Sequence, residues 1–230
     1  MPYNHLLGAK KMGLWETRHH SMKMLAKDFK QQAKTIEKSF TIVDECIDLF
    51  NTKAGDDDFH RVCGLVLAKA RNYALGAYGL ILDGLGQEAG ALLRPFIEYH
   101  ELLKYFRLDP GRVQQAIDDK LPSAGKRAQL IEGYFHELRK NLNDNASHSS
   151  FSHHALNHLL DKPDMTIRKE QPMLPKVLFV NMGDFFVQMI LMATEAINCL
   201  QTAEMGSAEK QAEDIVRLKN EGISFFKLSE

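Results

Sequence analysis

Apolar residues recur at steps of three and four along much of the chain, a spacing that predicts amphipathic helices. The longest run extends from about residue 15 to residue 50, where nine apolar positions follow this spacing without interruption. It predicts one long N-terminal helix with a narrow apolar seam, suited to packing against a neighbouring helix or a second copy of the chain. The seam consists of Met22, Leu25, Phe29, Ala33, Ile36, Phe40, Val43, Ile47 and Phe50.

The middle of the chain, residues 59–161, has the pattern of a central helical bundle. A polar turn leads into a helix at about 59–82, for which Asp56 or Asp57 is the predicted N-cap. Apolar residues lie nearly all round this helix, so other helices should surround it. After a Gly-Leu-Gly break comes a helix at about 87–108, in which Pro95 predicts a kink or a late start. Shorter helices are predicted at residues 112–120, 123–141 and 154–160.

A Pro-bearing linker at 162–175 precedes the C-terminal helices of residues 176–230. No segment of useful length shows the two-residue period of a strand. We therefore expect residues 1–230 to form a single domain of the all-α class, a helical bundle with long amphipathic helices.

The segment 177–200 is apolar and long enough to span a bilayer. It is nevertheless interrupted by polar side chains that are costly at membrane depth, so we interpret it as a central core helix. These side chains are Asn181, Asp184, Gln188 and Glu195.

Composition and charge narrow the functional classes only a little. The net charge of −1 gives no overall attraction to nucleic acid or to acidic membranes, so any such binding requires a local patch. Three widely separated cysteines without a CxxC spacing favour buried, reduced thiols. The N-terminus has no apolar core long enough for a signal peptide, so a cytoplasmic location is expected.

Common catalytic motifs are absent from the sequence: there is no P-loop, no HExxH and no GxSxG elbow. The stretch GLGQEAG, with Gly84, Gly86 and Gly90, resembles a dinucleotide fingerprint, but it follows a predicted helix where that fingerprint needs a strand. A close-packed turn between helices is the better interpretation. We expect no cofactor.

Four of the ten histidines lie within eleven residues: His148, His153, His154 and His158. His154 and His158 are four residues apart, a spacing at which two imidazoles on a helix can bind one metal ion. No carboxylate follows at a matching spacing, so a loop that uses Ser and His for capping is favoured and no metal site is predicted. A metal-binding helical bundle stays as the least favoured alternative.

A stripe of lysines follows the first predicted helix, beside its apolar seam. Such a stripe can contact phosphates, although a solvated helix face is the more common explanation. The candidate RNA-binding residues are Lys23, Lys27, Lys30 and Lys34.

A second polar stripe, Arg94, Glu98, Glu101 and Tyr105, lies at helical spacing on the helix at 87–108. The pattern allows an exposed face with an Arg94–Glu98 ion pair, or a polar seam buried between helices. The exposed face is slightly favoured.

Residues 70–106, with the later stretch NLNDNASHSS at 141–150, resemble a group of uncharacterised bacterial helical proteins. In that group an apolar helix and a Gly-rich turn lead into an Ala-x-x-Leu-Leu-Arg-x-x-x-Glu helix, followed downstream by a Ser-His element. We associate the group with the HEPN class of helical domains, many of which act on RNA or serve in toxin and defence systems. The resemblance covers roughly half of the chain and is an analogy at the level of the fold.

The resemblance implies Arg94, Glu98 and His148 as catalytic residues and a homodimer with a cleft between its protomers. Catalytic HEPN domains have a His four to six residues after an Arg on one helix. Here Arg94 and His100 have such a spacing, but Pro95 follows the Arg, and Arg139 and His148 stand too far apart. If the chain cleaves RNA, a metal-independent mechanism is expected, with His as general acid–base and Arg stabilising developing charge.

The main alternative is a non-enzymatic interaction module, in which the apolar seam and the Phe225-Phe226 tail mediate assembly.

Overall fold

The computed structural model describes residues 15–132, 142, 159–161, 165–167 and 173–228. Within these ranges the chain folds into eight α-helices, and the only β-structure is one antiparallel pair of two-residue strands. The predicted all-α class, a bundle with long helices, is confirmed.

The helices in chain order are α1 Glu16–Lys27, α2 Lys30–Asn51, α3 Asp58–Leu82, α4 Gly86–Leu108, a 3₁₀ turn Pro110–Arg112, α5 Val113–Ile117, α6 Ala124–Leu130, α7 Pro175–Ala203 and α8 Glu209–Phe226. The short strands are β1 Leu160–Asp161 and β2 Thr166–Ile167.

The predicted long N-terminal helix is broken in two between Lys27 and Lys30. At the break, the backbone N–H groups of Asp28 and Phe29 both donate to the Met24 carbonyl. The turn directs the Phe29 ring onto Phe179 of α7, with 5.8 Å between the ring centroids. Periodicity alone could not reveal the break, because the apolar spacing continues through it.

The junctions around α3 follow the expected capping chemistry. Asp57 is the N-cap of α3, and its carboxylate accepts a hydrogen bond from the His60 backbone N–H at 2.9 Å. At the other end Gly84 has φ +79°, the left-handed conformation that glycine adopts most easily. The chain thereby reverses into α4, which runs unbroken through Pro95.

Helix α7 is the centre of the bundle and packs against α2, α3, α4 and α8. Its inward face is formed by Leu178, Met182, Phe185, Phe186 and Met189, each 0–1% exposed. Among the described helices, α7 alone is long and apolar enough to cross a bilayer by length and composition, and half of its most apolar window is buried.

Two glycines fix the crossing of α7 and α8. Gly222 of α8 lies against the Phe186 ring, so closely that a Cβ built at this glycine would be 2.0 Å from the ring. Gly183 of α7 is covered in turn by Phe226 of α8. The Phe186 and Phe226 rings stack with 5.3 Å between their centroids. Each helix thus supplies a glycine on which the other's phenylalanine rests.

Several ion pairs connect helices that are far apart in sequence, among them those of Arg18 and Arg107. Arg18 donates to both carboxylate oxygens of Asp83, at 2.5 and 2.6 Å, and to the Gly79 carbonyl, which fastens α1 to the end of α3. Arg107 of α4 donates to Glu195 of α7 at 2.5 Å. The Glu195 side chain is only 7% exposed and that of Arg107 is 26% exposed, so the carboxylate of this second pair is buried while its guanidinium reaches the surface.

The apolar seam of the N-terminal segment is used inside the chain. Ile36, Val43 and Phe50 are each at most 1% exposed, and Phe226 is 3% exposed. Most of the seam and Phe226 are thus packed within the chain, where α7 and α8 cover α2, so these residues are not a free assembly surface. The three cysteines are free and buried, as the sequence predicts.

His100 should make the fold sensitive to acid. Burial first, and then the charges of Lys104 and Arg107, lower the pKa of His100 to about 4 from its ordinary 6.5. Below pH 6.5 the unfolded chain binds a proton that the folded chain binds only near pH 4, so stability falls as the pH drops through this window. At pH 4.5 this one group should cost about 2 kcal/mol of unfolding free energy.

Urea denaturation of wild type and His100→Gln at pH 7 and pH 4.5 measures this contribution. The variant should lose less stability between the two pH values. The comparison is needed because the raised pKa of Glu195 acts in the opposite direction, favouring the fold at lower pH. Identical losses in the two proteins would contradict the assignment.

Candidate functional site

Arg94 and Glu98 are held on one face of α4, as predicted from their spacing of four residues. The Arg94 Nε lies 3.5 Å from Glu98 Oε1. The Arg94 side chain is 36% exposed and that of Glu98 is 24% exposed, so the pair borders solvent. The Nε–H of Arg94 is buried and donates no hydrogen bond within the described part of the chain. The exposed part of the Arg94 guanidinium can donate to an anionic group such as phosphate.

The rest of the predicted polar stripe on α4 is not an exposed face. Glu101 and Tyr105 are each 2% exposed, and the Tyr105 hydroxyl donates to Gln115 Oε1 at 2.9 Å. Arg112 lies over the Tyr105 ring, 4.4 Å from its centroid. The stripe therefore passes from the surface at Arg94 into the interior at Tyr105, so the preference for an exposed face is wrong for its second half.

The third predicted catalytic residue, His148, lies outside the described residues, as do His153, His154, His158 and Arg139. Within the described residues, no group of His, Cys, Asp or Glu could hold a metal ion.

His100, the other histidine near Arg94 in sequence, belongs to the core. It is 6% exposed, and its lowered pKa keeps the imidazole neutral at physiological pH. A group in that environment is poorly placed to exchange protons with a substrate at the surface. Arg94 and His100 therefore do not form the solvent-facing pair that their spacing suggested.

The four candidate RNA-binding lysines are exposed, and the break after α1 divides them between two helices. Lys23 and Lys27 lie on α1, whereas Lys30 and Lys34 lie on α2. None of the four makes an ion pair with a described residue. Their neighbours differ in this respect: Arg18 pairs with Asp83, and Lys38 pairs with Glu221 at 2.7 Å.

A cavity of about 380 Å³ lies where the Gly-rich turn meets α7. Its apolar lining comes mainly from α4, with Ala89, Leu93 and Ile97 among the residues. Gly86 at the start of α4 allows Asn181 to come close, since a Cβ there would be 2.5 Å from the Asn181 amide nitrogen. The GLGQEAG stretch thus acts as the close-packed helix turn that the sequence predicted, and it also borders a cavity.

Three polar residues of α7 line the same cavity: Asn181, Asp184 and Gln188. Partial desolvation of its carboxylate raises the pKa of Asp184. Sequence reasoning used these residues only as an argument against a membrane span. Their spacing of three and four places them on one helix face, and this signal could have identified them as a polar row.

A larger apolar groove, of about 610 Å³, lies between α7 and α8. Phe186, Ile190 and Leu191 form one wall, and Ile223 and Leu228 form the other. Lys219 and Asn220 supply its polar groups. Val187 lines both this groove and the cavity beside the Gly-rich turn, so the two openings adjoin along α7.

Comparison of the chain with protein-family models, with curated proteins and with solved structures gives no match.

The described residues thus offer two kinds of chemistry. Exposed cations on α1, α2 and α4 can bind phosphate groups, and an exposed apolar surface along α7 can bind another molecule's apolar face.

Proposed function

We propose that this chain is a cytoplasmic helical protein that binds RNA through the lysines of α1 and α2. One contrast supports the proposal. Arg18 and Lys38 are neutralised by carboxylates, whereas Lys23, Lys27, Lys30 and Lys34 are exposed and make no ion pair with the described part of the chain. Lysines without carboxylate partners can contact the phosphates of a single strand and release their counterions.

Arg94 extends this proposal from binding to cleavage. In a metal-independent mechanism, the guanidinium would stabilise the charge on the phosphate while His148 serves as general acid–base. Glu98 would position Arg94 through the ion pair. The role of His148 comes from the resemblance to HEPN domains, and so does a place in a defence or toxin system.

Salt dependence of RNA binding tests the proposal most directly. The quadruple variant in which Lys23, Lys27, Lys30 and Lys34 become Ala should bind a single-stranded RNA more weakly in fluorescence anisotropy. Its slope of log K against log salt should also be smaller by about 3, because each lost phosphate contact removes about 0.7. The same titrations, made in EDTA and followed by gel electrophoresis, show whether RNA is cleaved and whether Arg94→Ala or His148→Ala abolishes cleavage.

A matched control comes from lysines that carboxylates already neutralise. Lys53 pairs with Glu204, and Lys210 pairs with Glu45 at 3.0 Å. Lys53→Ala/Lys210→Ala should leave the slope unchanged. Equal slopes for the wild type and the quadruple variant would exclude the lysines as the RNA-binding surface.

A second candidate function is assembly without catalysis, and the outward face of α7 favours it. Leu174, Val177 and Val180 are 54%, 46% and 47% exposed. Apolar residues grouped on one helix face and open to solvent often mark a surface that binds another molecule. This surface differs from the seam and tail that the sequence suggested.

A further inference from the structure

We infer that the cavity beside the Gly-rich turn binds a small primary amine. Asn181, Asp184 and Gln188 hold the ammonium group, and the apolar body of the ligand packs against α4. This site is separate from the lysines of α1 and α2, and its occupation does not require RNA.

The polar side of the cavity is a row of three side chains on one face of α7. Asn181, Asp184 and Gln188 follow one another at steps of three and four, which places neighbours in the row about 5–6 Å apart. Asp184 is exposed and the two amides are partly buried, so a ligand can reach all three. None of the three side chains makes a hydrogen bond or an ion pair with another described residue. The row therefore offers its polar groups to a ligand.

The charge of the cavity favours a cation. Asp184 is the only charged side chain among the described residues that line it. Partial desolvation raises the pKa of this carboxyl group, and no charged group of the described chain opposes the rise. A cation beside Asp184 would offset the cost of desolvation. The cavity therefore suits a ligand of positive charge and disfavours an anion such as phosphate.

An ammonium group matches the row in its hydrogen bonds as well as in its charge. It has three N–H donors and no acceptor, and the row supplies one carboxylate between two amide oxygens. Gly86 sets the position of the Asn181 amide: a Cβ built at this glycine would lie 2.5 Å from Nδ2 and 3.6 Å from Oδ1. The amide nitrogen thus faces the glycine, and the oxygen lies further away from it.

The apolar lining selects an organic cation over a metal ion. Leu93 and Ile97 of α4 and Ile81 of α3 form much of this lining, and their side chains supply no oxygen ligand. A calcium ion takes about six to eight oxygen ligands, which these walls do not provide. The volume of about 380 Å³ falls within the range of small-molecule sites, roughly 300–1,000 Å³. The walls therefore suit the carbon chain of an amine.

Isothermal titration calorimetry in phosphate buffer, which contains no amine, tests the choice of ligand. At pH 7 n-hexylamine is a cation and should bind with a Kd of about 1 mM. The neutral 1-hexanol and the anionic hexanoate have the same carbon chain and should each bind at least about tenfold more weakly. Methylamine should bind too weakly to measure, because it carries the charge without the apolar body.

Substitutions in the row test the position of the ligand. Asp184→Asn keeps the size of the side chain, and it should weaken n-hexylamine binding about tenfold and abolish the preference over 1-hexanol. Gly86→Ala should weaken binding about threefold, because the new methyl group displaces the Asn181 amide. Glu213→Gln is the matched control, since Glu213 is exposed on α8 and does not line the cavity, and its Kd should be unchanged. All three variants should keep the circular dichroism spectrum of the wild type.

Four results would overturn the inference. The first is a wild type that does not bind n-hexylamine at concentrations up to about 20 mM. The second is binding of 1-hexanol or hexanoate as tight as that of n-hexylamine. The third is an Asp184→Asn variant that binds n-hexylamine with the affinity of the wild type. The fourth is displacement of n-hexylamine by an equal concentration of calcium ions, which would identify the row as a metal site.

Discussion

Arg107→Met is expected to lower the free energy of unfolding by about 3 kcal/mol at pH 7. The substitution leaves Glu195 in a site where its side chain is 7% exposed and where Arg107 Nε was its partner at 2.5 Å. An uncompensated carboxylate in such a site must keep its charge without solvation or take up a proton, and both cost free energy. Lys104 stays nearby and limits the loss, because its charge also favours the ionised form.

The double variant Arg107→Met/Glu195→Met isolates this effect. It should recover most of the stability, because a buried ion pair can often be replaced by apolar side chains of similar volume at little cost. Urea denaturation of the wild type, Arg107→Met, Glu195→Met and the double variant completes the double-mutant cycle. A double variant as unstable as the sum of the single ones would contradict the view that the orphaned carboxylate causes the loss.

The loss in Arg107→Met should also depend on pH with a definite sign. Burial already raises the pKa of Glu195, and Arg107 opposes that rise. Without Arg107 the folded-state pKa rises further, so on acidification the folded variant takes up this proton at a higher pH than the unfolded chain does. Acidification towards about pH 5 should therefore reduce the difference between variant and wild type. A difference that grows on acidification would contradict this.

Gly222→Ala is expected to destabilise the fold by about 3 kcal/mol, at the upper end for an overpacked core. The new Cβ would lie 2.0 Å from the Phe186 ring, which is 1% exposed and stacked on Phe226. The ring therefore has little room to move, and α8 must shift away from α7. Alanine's better helix propensity offsets about 1 kcal/mol at most. Thermal denaturation should show a midpoint about 10 °C lower.

The matched control for this substitution is Gly125→Ala in α6, where a Cβ would meet no atom within 4 Å. It should be neutral or stabilise the protein by up to about 1 kcal/mol. Adding Phe186→Leu to Gly222→Ala should recover part of the loss by making room for the methyl group. Unchanged stability of Gly222→Ala would mean that α8 packs elsewhere on α7.

The helices could be predicted from the sequence because their signals are local. Asp57 as the cap of α3 and the turn at Gly84 follow from the preferences of single residues. The break at Phe29 could not be predicted, because it depends on the contact with Phe179, which is 150 positions away in the sequence. Local pattern carries no information about which distant ring a side chain will meet.

The candidate sites were predictable only in part, for the same reason. The spacing of Arg94 and Glu98 predicts an ion pair on one face of α4, and the structure contains this ion pair. Glu101 and Tyr105 are buried because α4 packs against neighbouring parts of the chain, such as the segment of Gln115, to which Tyr105 donates a hydrogen bond. The exposed Leu174, Val177 and Val180 could not be distinguished from core residues. An apolar residue has the same sequence signature whether the fold covers it or leaves it exposed.

The exchange of glycine and phenylalanine between α7 and α8 has a dynamic consequence. Phe226 packs on Gly183, and Phe186 packs on Gly222. Because of these contacts, α8 can neither slide nor rotate along α7 without separating a phenylalanine ring from the glycine that it covers. Partial opening of α8 is therefore costly, and the helix should detach as a whole. Its central amide protons should exchange with solvent deuterium at one common, slow rate, and the groove beside them should keep its width between such events.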